Sequence, residues 1–223
     1  MTRSASSSSL ASLNSLFDDD AEIIPASRTP PPIAGLYIFP SLLPAAVASA
    51  ALCAISAADH FGSRDQVMLF SRPPSAGPSS LPPHLTELDT TLARLLHPLL
   101  PPETHALAFK QPLARQVILN LYAPGTGISP HIDLPNRYAD GIVGVSLAGG
   151  CVMTFTRDGE RHDVYLPPRS VYVMSGEARW EWEHGIAYRA EDVVLDGEER
   201  TVPRAVRLSV TLRWMKEGAG LLR

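Results

Sequence analysis

Cysteine is nearly missing from this 223-residue chain, with Cys53 and Cys151 the only two. A disulfide-built fold and a cysteine-built zinc site are thereby excluded, and a reducing, intracellular compartment is the default expectation. An excess of positive charge is also missing. Lys and Arg number 19 against 23 Asp and Glu, a formal charge of −4. That excludes a protein held to nucleic acid by bulk charge, though a local basic patch is still compatible with it. No long apolar run is present either. The stretch Leu42–Ala58 is alanine-rich, contains Pro44 and falls short of the roughly 20 apolar residues a membrane span needs. No membrane association is expected. The first 20 residues hold seven serines and the acidic run Asp18–Asp20. A mitochondrial presequence is acid-poor and arginine-rich, and only the first 17 residues fit it loosely. The expectation is therefore a disordered tail over 1–32, with cytoplasm or nucleus as location and the mitochondrion still open.

Proline is abundant, 21 in all, and most lie before residue 136. A looped front half and a regular back half are expected. With 45% hydrophobic residues, the length suits one domain with a sizeable core, placed at 33–217. In its front half, Gly35–Phe39 and Gln66–Phe70 read as short strands. Leu42–Ala58 reads as a buried helix, with Ser41 as cap and Pro44 in the first turn. Arg72–Pro83 is a loop, and Leu85, Leu88, Leu92, Leu95 and Leu96 recur at helical spacing. From residue 115 the period becomes two. Candidate strands are Gln116–Tyr122, Ile142–Leu147, Cys151–Thr156, His162–Leu166, Ser170–Met174, Trp180–His184 and Val206–Trp214. Gly149–Gly150 and Asp158–Gly159 mark turns between them. The class implied is mainly β with supporting helices, as an antiparallel barrel or jelly roll.

Three pieces of sequence bear on chemistry. In His131-Ile132-Asp133 an extended backbone sends both polar side chains to one side, so the pair can grip one metal ion. A third ligand is needed. His162 sits beside a turn and reads as a solvated hairpin end, whereas His184 closes the aromatic segment Trp180–His184, a suitable pocket wall. Two histidines and one carboxylate form the facial triad of non-haem Fe(II) oxygenases. The terminal strand alternates strictly, with Arg207, Ser209, Thr211 and Arg213 on one face. That face lies either in solvent or in a barrel lumen, and in a lumen two arginines need an anion. Finally, Asn120 and Tyr122 share a strand face just before the turn-forming run Ala123–Gly127.

The strings NLYAPGTGISPHID, WEWEHGI and RLSVTLR, in this order and at these separations, resemble the AlkB-like Fe(II)- and 2-oxoglutarate-dependent dioxygenases. The resemblance covers roughly 33–216 and is strongest from 115 onward. It implies a double-stranded β-helix, with Fe(II) as metal and 2-oxoglutarate and O2 as co-substrates. His131, Asp133 and His184 match the family's iron ligands. Asn120 and Tyr122 match residues that hydrogen-bond 2-oxoglutarate. Arg207 matches the arginine on its distal carboxylate, and Arg213 the one near its chelating end. The chemistry implied is decarboxylation of 2-oxoglutarate to succinate, coupled to hydroxylation of a substrate C–H bond. A hydroxylated N-methyl group then leaves as formaldehyde. The stretch 66–97 is similar to the region that shapes the family's nucleotide-recognition lid, and Arg72–Pro83 is the candidate lid.

Direct-repair members often carry an acidic residue two positions after the metal aspartate, and here that position is Pro135. GISPHID, SLAGGCVMTF and VYVMSGEARWEWEHGI are more similar to the branch that hydroxylates tRNA wobble bases, whose members usually add an RNA-binding module and a methyltransferase domain. The expected activity is hydroxylation or oxidative demethylation of an N-alkylated substrate by a monomer. Alkylated nucleic acid leads as the partner, and methylated protein is the alternative. The rival from another class is a catalytically silent jelly-roll binding module. Retention of His131, Asp133, His184, Arg207 and Arg213 together argues for the enzyme.

Overall fold

A computed structural model describes residues 24–219. Two antiparallel-rich sheets face one another. The six-stranded sheet has the order β2-β9-β6-β13-β4-β3. Its strands are β2 (Leu36–Phe39), β3 (Gln66–Phe70), β4 (Ala114–Tyr122), β6 (Ile142–Ala148), β9 (Val171–Met174) and β13 (Arg207–Met215). The seven-stranded sheet has the order β12-β11-β1-β8-β7-β10-β5. It is built from β1 (Ala26–Ser27), β5 (Ile128–His131), β7 (Cys151–Arg157), β8 (Glu160–Leu166), β10 (Glu183–Ile186), β11 (Glu191–Asp196) and β12 (Glu198–Pro203). This is the expected jelly roll. β1 lies within the span expected to be tail and pairs with β11 and β8. Residues 1–23, which hold the serine-rich run, lie outside the described residues.

The six-stranded sheet is apolar on the face turned away from its partner. Val117 and Leu119 of β4, Val143 and Val145 of β6, and Val210 and Leu212 of β13 form one buried cluster with three helices. These are α1 (Ala45–Ala57), α2 (Pro83–Leu96) and α3 (Pro102–Phe109). α2 presents Leu85, Leu88, Leu92 and Leu96 at spacings of three and four, the stripe a sheet-covering helix needs. Pro83 and Pro102 open their helices where the missing N–H costs nothing. α1 differs from expectation at its start. Pro44 occupies the cap position with no side-chain cap bond, and Ser41 turns its hydroxyl to the Pro168 carbonyl.

With helices over the apolar face, the opposite face of the same strands looks into the jelly roll. Register sets cross-strand rows there: Tyr122 with Arg207; Gln66, Asn120, Ser209 and Ser146; Met68, Ile118, Thr211 and Gly144; and Phe70, Gln116 and Arg213. The polar face of the terminal strand is therefore internal, because the helices claim the apolar one. Val206, just outside the strand, is 55% exposed. Across from it, Phe155, Leu166, Met153 and Trp182 join Ile142 and Met174 in an inter-sheet cluster.

Other elements also depart from the sequence reading: β5, β11 and β12 are strands it did not name, and two further differences concern helices. Trp180–His184 is not a strand. The alternating Trp-Glu-Trp-Glu mimics period two, but Gly176, at φ 52°, starts a short helix α4 (Glu177–Trp180), and β10 begins only at Glu183. Trp182 lies between them, buried, with its indole N–H donated to Glu177 Oε1. α3 is an addition. Its buried positions are Thr104, His105 and Ala108, so it lacks the apolar stripe that reveals α2.

Gly144 has a steric role. A Cβ there would fall inside the Tyr172 ring, which packs over the glycine from β9. Gly144→Ala is expected to destabilise the fold by about 1–3 kcal/mol in urea melts. Combined with Tyr172→Leu it should cost measurably less than the sum of the two single changes. Strict additivity would show that the close approach is not limiting.

Candidate active site

A cavity of about 130 Å³ lies between the two sheets, lined by Met68, Ile118, Ser209 and Thr211 from the rows above and by residues of β5 and β10 opposite. Each residue singled out from sequence lines it: Asn120, Tyr122, His131, Asp133, His184, Arg207 and Arg213. His131 and His184 are direct cross-strand partners in the β5–β10 pair, with ring centroids 4.5 Å apart. Asp133 follows just beyond the end of β5. Two edge strands, β3 and β5, flank the opening. A groove of about 540 Å³ adjoins it, sharing Gln66, Asn120, Tyr122 and Ile128 with the chamber.

Asp133 is held from two directions. Its carboxylate Oδ1 accepts a short bond from Arg213 Nη1. Its backbone carbonyl accepts from Arg179 Nη1 at 2.9 Å. The buried Arg179 guanidinium also donates to the carbonyls of Tyr138 and Ala139, which pins the loop after β5 onto α4. Among the described residues, no three His, Cys, Asp or Glu side chains form a ready-made cation cluster.

The two arginines of β13 differ in their partners. Arg213 has the Asp133 carboxylate, the Gln116 amide oxygen and the Tyr138 ring, 3.7 Å from its guanidinium carbon. Arg207 is only 4% exposed, yet no carboxylate among the described residues forms an ion pair with it. Its Nη2 donates to Ser146 Oγ at 3.1 Å, it sits 5.2 Å from the Tyr122 ring, and its Nε has no partner. An unpaired buried cation is costly unless an anion completes the site. Next to it, Arg204 is fully committed. It forks onto Asp192 through Nε and Nη2, and Asp192 also takes Arg189 and the Val152 N–H. That buried cluster anchors the chain just before Arg207.

Asn120 accepts from Gln66 Nε2 at 2.7 Å, so the amide on β4 is tied to the edge strand at the opening. Burial pushes the Tyr122 phenol up, with Arg207 opposing. Burial pulls His184 down to about 4, an effect the nearby Asp133 opposes and His131 reinforces. His184 is therefore a neutral imidazole near pH 7, with a lone pair to give.

A family model described as the 2OG-Fe(II) oxygenase superfamily matches residues 70–213, well over half of the chain. The chain belongs to that superfamily, whose members are 2-oxoglutarate-dependent dioxygenases. Among curated relatives, the uncharacterized protein L905 of Acanthamoeba polyphaga mimivirus is 39% identical over 101 residues, 44% of this chain and 47% of that protein. The tRNA (carboxymethyluridine(34)-5-O)-methyltransferase alkbh8 of Xenopus tropicalis is 43% identical over 88 residues, 39% of this chain and 14% of that one. These matches span less than half of either relative's length. In fold, the chain is similar to a Pseudomonas putida prolyl-4-hydroxylase, at a TM-score of 0.52 and 16% identity over 82% of this chain and 93% of the other. These matches place the chain among relatives of AlkB homologues on a double-stranded β-helix.

Within this oxygenase, residues that sequence reasoning passed over either line the chamber, as Gln66 and Tyr172 do, or hold its lining residues from behind, as Gln116, Ser146 and Arg179 do. Gln66, Gln116, Ser146, Tyr172 and Arg179 are ordinary polar or aromatic residues in strands or a short helix, and they acquire a role only through register. The period-two pattern placed Gln116 and Asn120 on one face, which is the one signal that could have found Gln116. His162 pairs with Glu160 outside the chamber, as expected of a hairpin end. Residues from Arg72–Pro83 line cavities at the Ala114 and Trp214 end of the sheet, and none of them lines the chamber.

The low His184 value carries a sign. The unfolded chain takes up this proton near pH 6.5 and the folded chain near pH 4. Stability from this group is thus complete above pH 6.5 and is lost as pH falls toward 4, by on the order of 3 kcal/mol. Urea melts of chelator-treated protein should show that loss, and His184→Gln should remove its share. An identical pH slope in the variant would contradict the burial of a neutral imidazole.

Proposed function

We propose that this chain is an Fe(II)- and 2-oxoglutarate-dependent dioxygenase that hydroxylates or oxidatively demethylates an N-alkylated nucleic-acid base. The observation that carries the reading is Arg207, a buried guanidinium with an orphaned Nε and no carboxylate partner among the described residues, facing the chamber that also holds His131, Asp133 and His184. A dicarboxylate supplies what Arg207 lacks. The donor set suits the metal as well: two imidazoles and one carboxylate fit Fe(II) and leave coordination positions for a co-substrate. When bound, Fe(II) supplies O2 activation coupled to decarboxylation of 2-oxoglutarate.

The chain's own residues have distinct parts in this reading. His131, Asp133 and His184 hold the metal, and the neutral His184 needs no proton removed to do so. Arg207, with Tyr122 and Ser146, holds the distal carboxylate. Arg213 and Asn120 orient the chelating end. Gln66 ties Asn120 to the edge strand beside the groove, where substrate approaches. Nucleic acid is favoured over protein by the likeness to alkbh8, a protein named for a tRNA modification. Methylated protein is the second reading, favoured by the acidic balance of −4.

The test is succinate release after anaerobic loading with Fe(II) and 2-oxoglutarate, run against methylated DNA, total tRNA and methylated histones. Turnover stimulated by tRNA or DNA is expected. Arg207→Ala should raise the 2-oxoglutarate KM well over tenfold with metal binding nearly intact, in line with a loss of roughly 2–5 kcal/mol. Arg207→Lys should recover only part, because a point charge cannot reproduce the fork. Stimulation by histones alone would move the substrate to protein. No succinate under any condition would favour the silent binding module.

A further inference from the structure

We propose that Gln116 is a positioning residue whose amide oxygen fixes the Arg213 guanidinium, so that a single N–H reaches Asp133 and the carboxylate keeps its other oxygen for the metal. The inference rests on the reading of Asp133 as a metal ligand. Gln116 is 1% exposed near the start of β4, the strand next to the sheet edge, paired with Arg213 of β13 on one side and Phe70 of β3 on the other. A buried amide is costly unless it is hydrogen-bonded. Its oxygen is well used, accepting from Arg213 Nε at 3.0 Å and Nη2 at 2.7 Å. Its nitrogen has only the soft sulfur of Met68 at 3.7 Å. The acceptor, not the donor, is what this position provides.

The consequence follows from guanidinium geometry. Arg213 presents planar N–H donors in a rigid fork. The Tyr138 ring fixes its plane from one face. Gln116 occupies the edge made by Nε and Nη2. Nη1 is the nitrogen left to face Asp133, and it reaches Oδ1 alone. Without the amide oxygen, Nε and Nη2 are stranded in a buried site. The strong acceptor within reach is then the Asp133 carboxylate, which a guanidinium grips through both oxygens whenever it can. A neutral acceptor at 116 thereby prevents an internal fork from competing with the metal.

The experiment reads Mn(II) binding by calorimetry, without turnover, on full-length protein checked for folding by circular dichroism. Gln116→Leu is expected to weaken Mn(II) binding about tenfold or more. Gln116→Glu, which restores an acceptor of the same reach, should return it to within about threefold of the parent. A purely packing role would be disturbed by both changes alike. If the leucine variant does not fold, Gln116→Asn is read in its place, since it withdraws the oxygen by one methylene and should also weaken binding. A folded leucine or asparagine variant with unchanged Mn(II) affinity overturns the proposal, as does a glutamate variant no better than leucine. Asp133→Ala separates the two levels of the argument. If it abolishes Mn(II) binding while the Gln116 variants do nothing, the positioning role fails alone. If it too leaves binding unchanged, the assignment of Asp133 as ligand fails with it.

Discussion

Two buried guanidinium groups project from one strand into the chamber, and among the described residues only Arg213 has a carboxylate to meet. This buried charge imbalance is the constraint on which the rest of the structure turns. Arg213 is neutralised by Asp133. Arg207 has a hydroxyl, an aromatic face and an unsatisfied Nε. A fold tolerates a lone buried cation only at a free-energy cost, and such a cost persists where a ligand removes it. In the proposed function, a dicarboxylate held at one end by Arg207 and at the other beside Arg213 is what removes it.

The architecture makes that arrangement possible by using both faces of one sheet. Strands β4, β6 and β13 put Val and Leu under α1 and α2, which frees the alternate positions for amides, hydroxyls and arginines. The second sheet contributes the cross-strand imidazoles, and Arg179 and the Arg204–Asp192 cluster stiffen the chain on either side. Polar positions thus occur in the interior because a second hydrophobic core, outside the jelly roll, carries the burial of apolar surface.

Much of this was legible in the sequence where local pattern and tertiary role agree. The strict alternation over 206–214 put Arg207 and Arg213 on one face, but alternation alone could not say whether that face looked to solvent or inward. Only the helices over the other face settle it. His131 and Asp133 were visible from their i, i+2 spacing, and His184 from its place after two tryptophans, although Trp180 ends a short helix and Trp182 lies in the link to β10 rather than in a strand. Arg179 was invisible because it acts on backbone carbonyls in a loop some forty residues away in sequence. Gln116 and Gln66 were hidden because their partners lie across register, and the period-two pattern that puts Gln116 on the face of Asn120 does not say what it meets there. α3 escaped because its buried face is polar, with His105 bonded to the Ala93 carbonyl instead of packed as a hydrophobe.

The central claim is that the chamber holds a dicarboxylate by both ends. Calorimetry with Mn(II)-loaded protein tests it by comparing 2-oxoglutarate with 2-oxovalerate, which keeps the 2-oxo acid and lacks the distal carboxylate. The account predicts binding of 2-oxoglutarate at least about thirtyfold tighter, the lower end of what a buried charge-assisted pair contributes. Equal affinity for the two acids would contradict it.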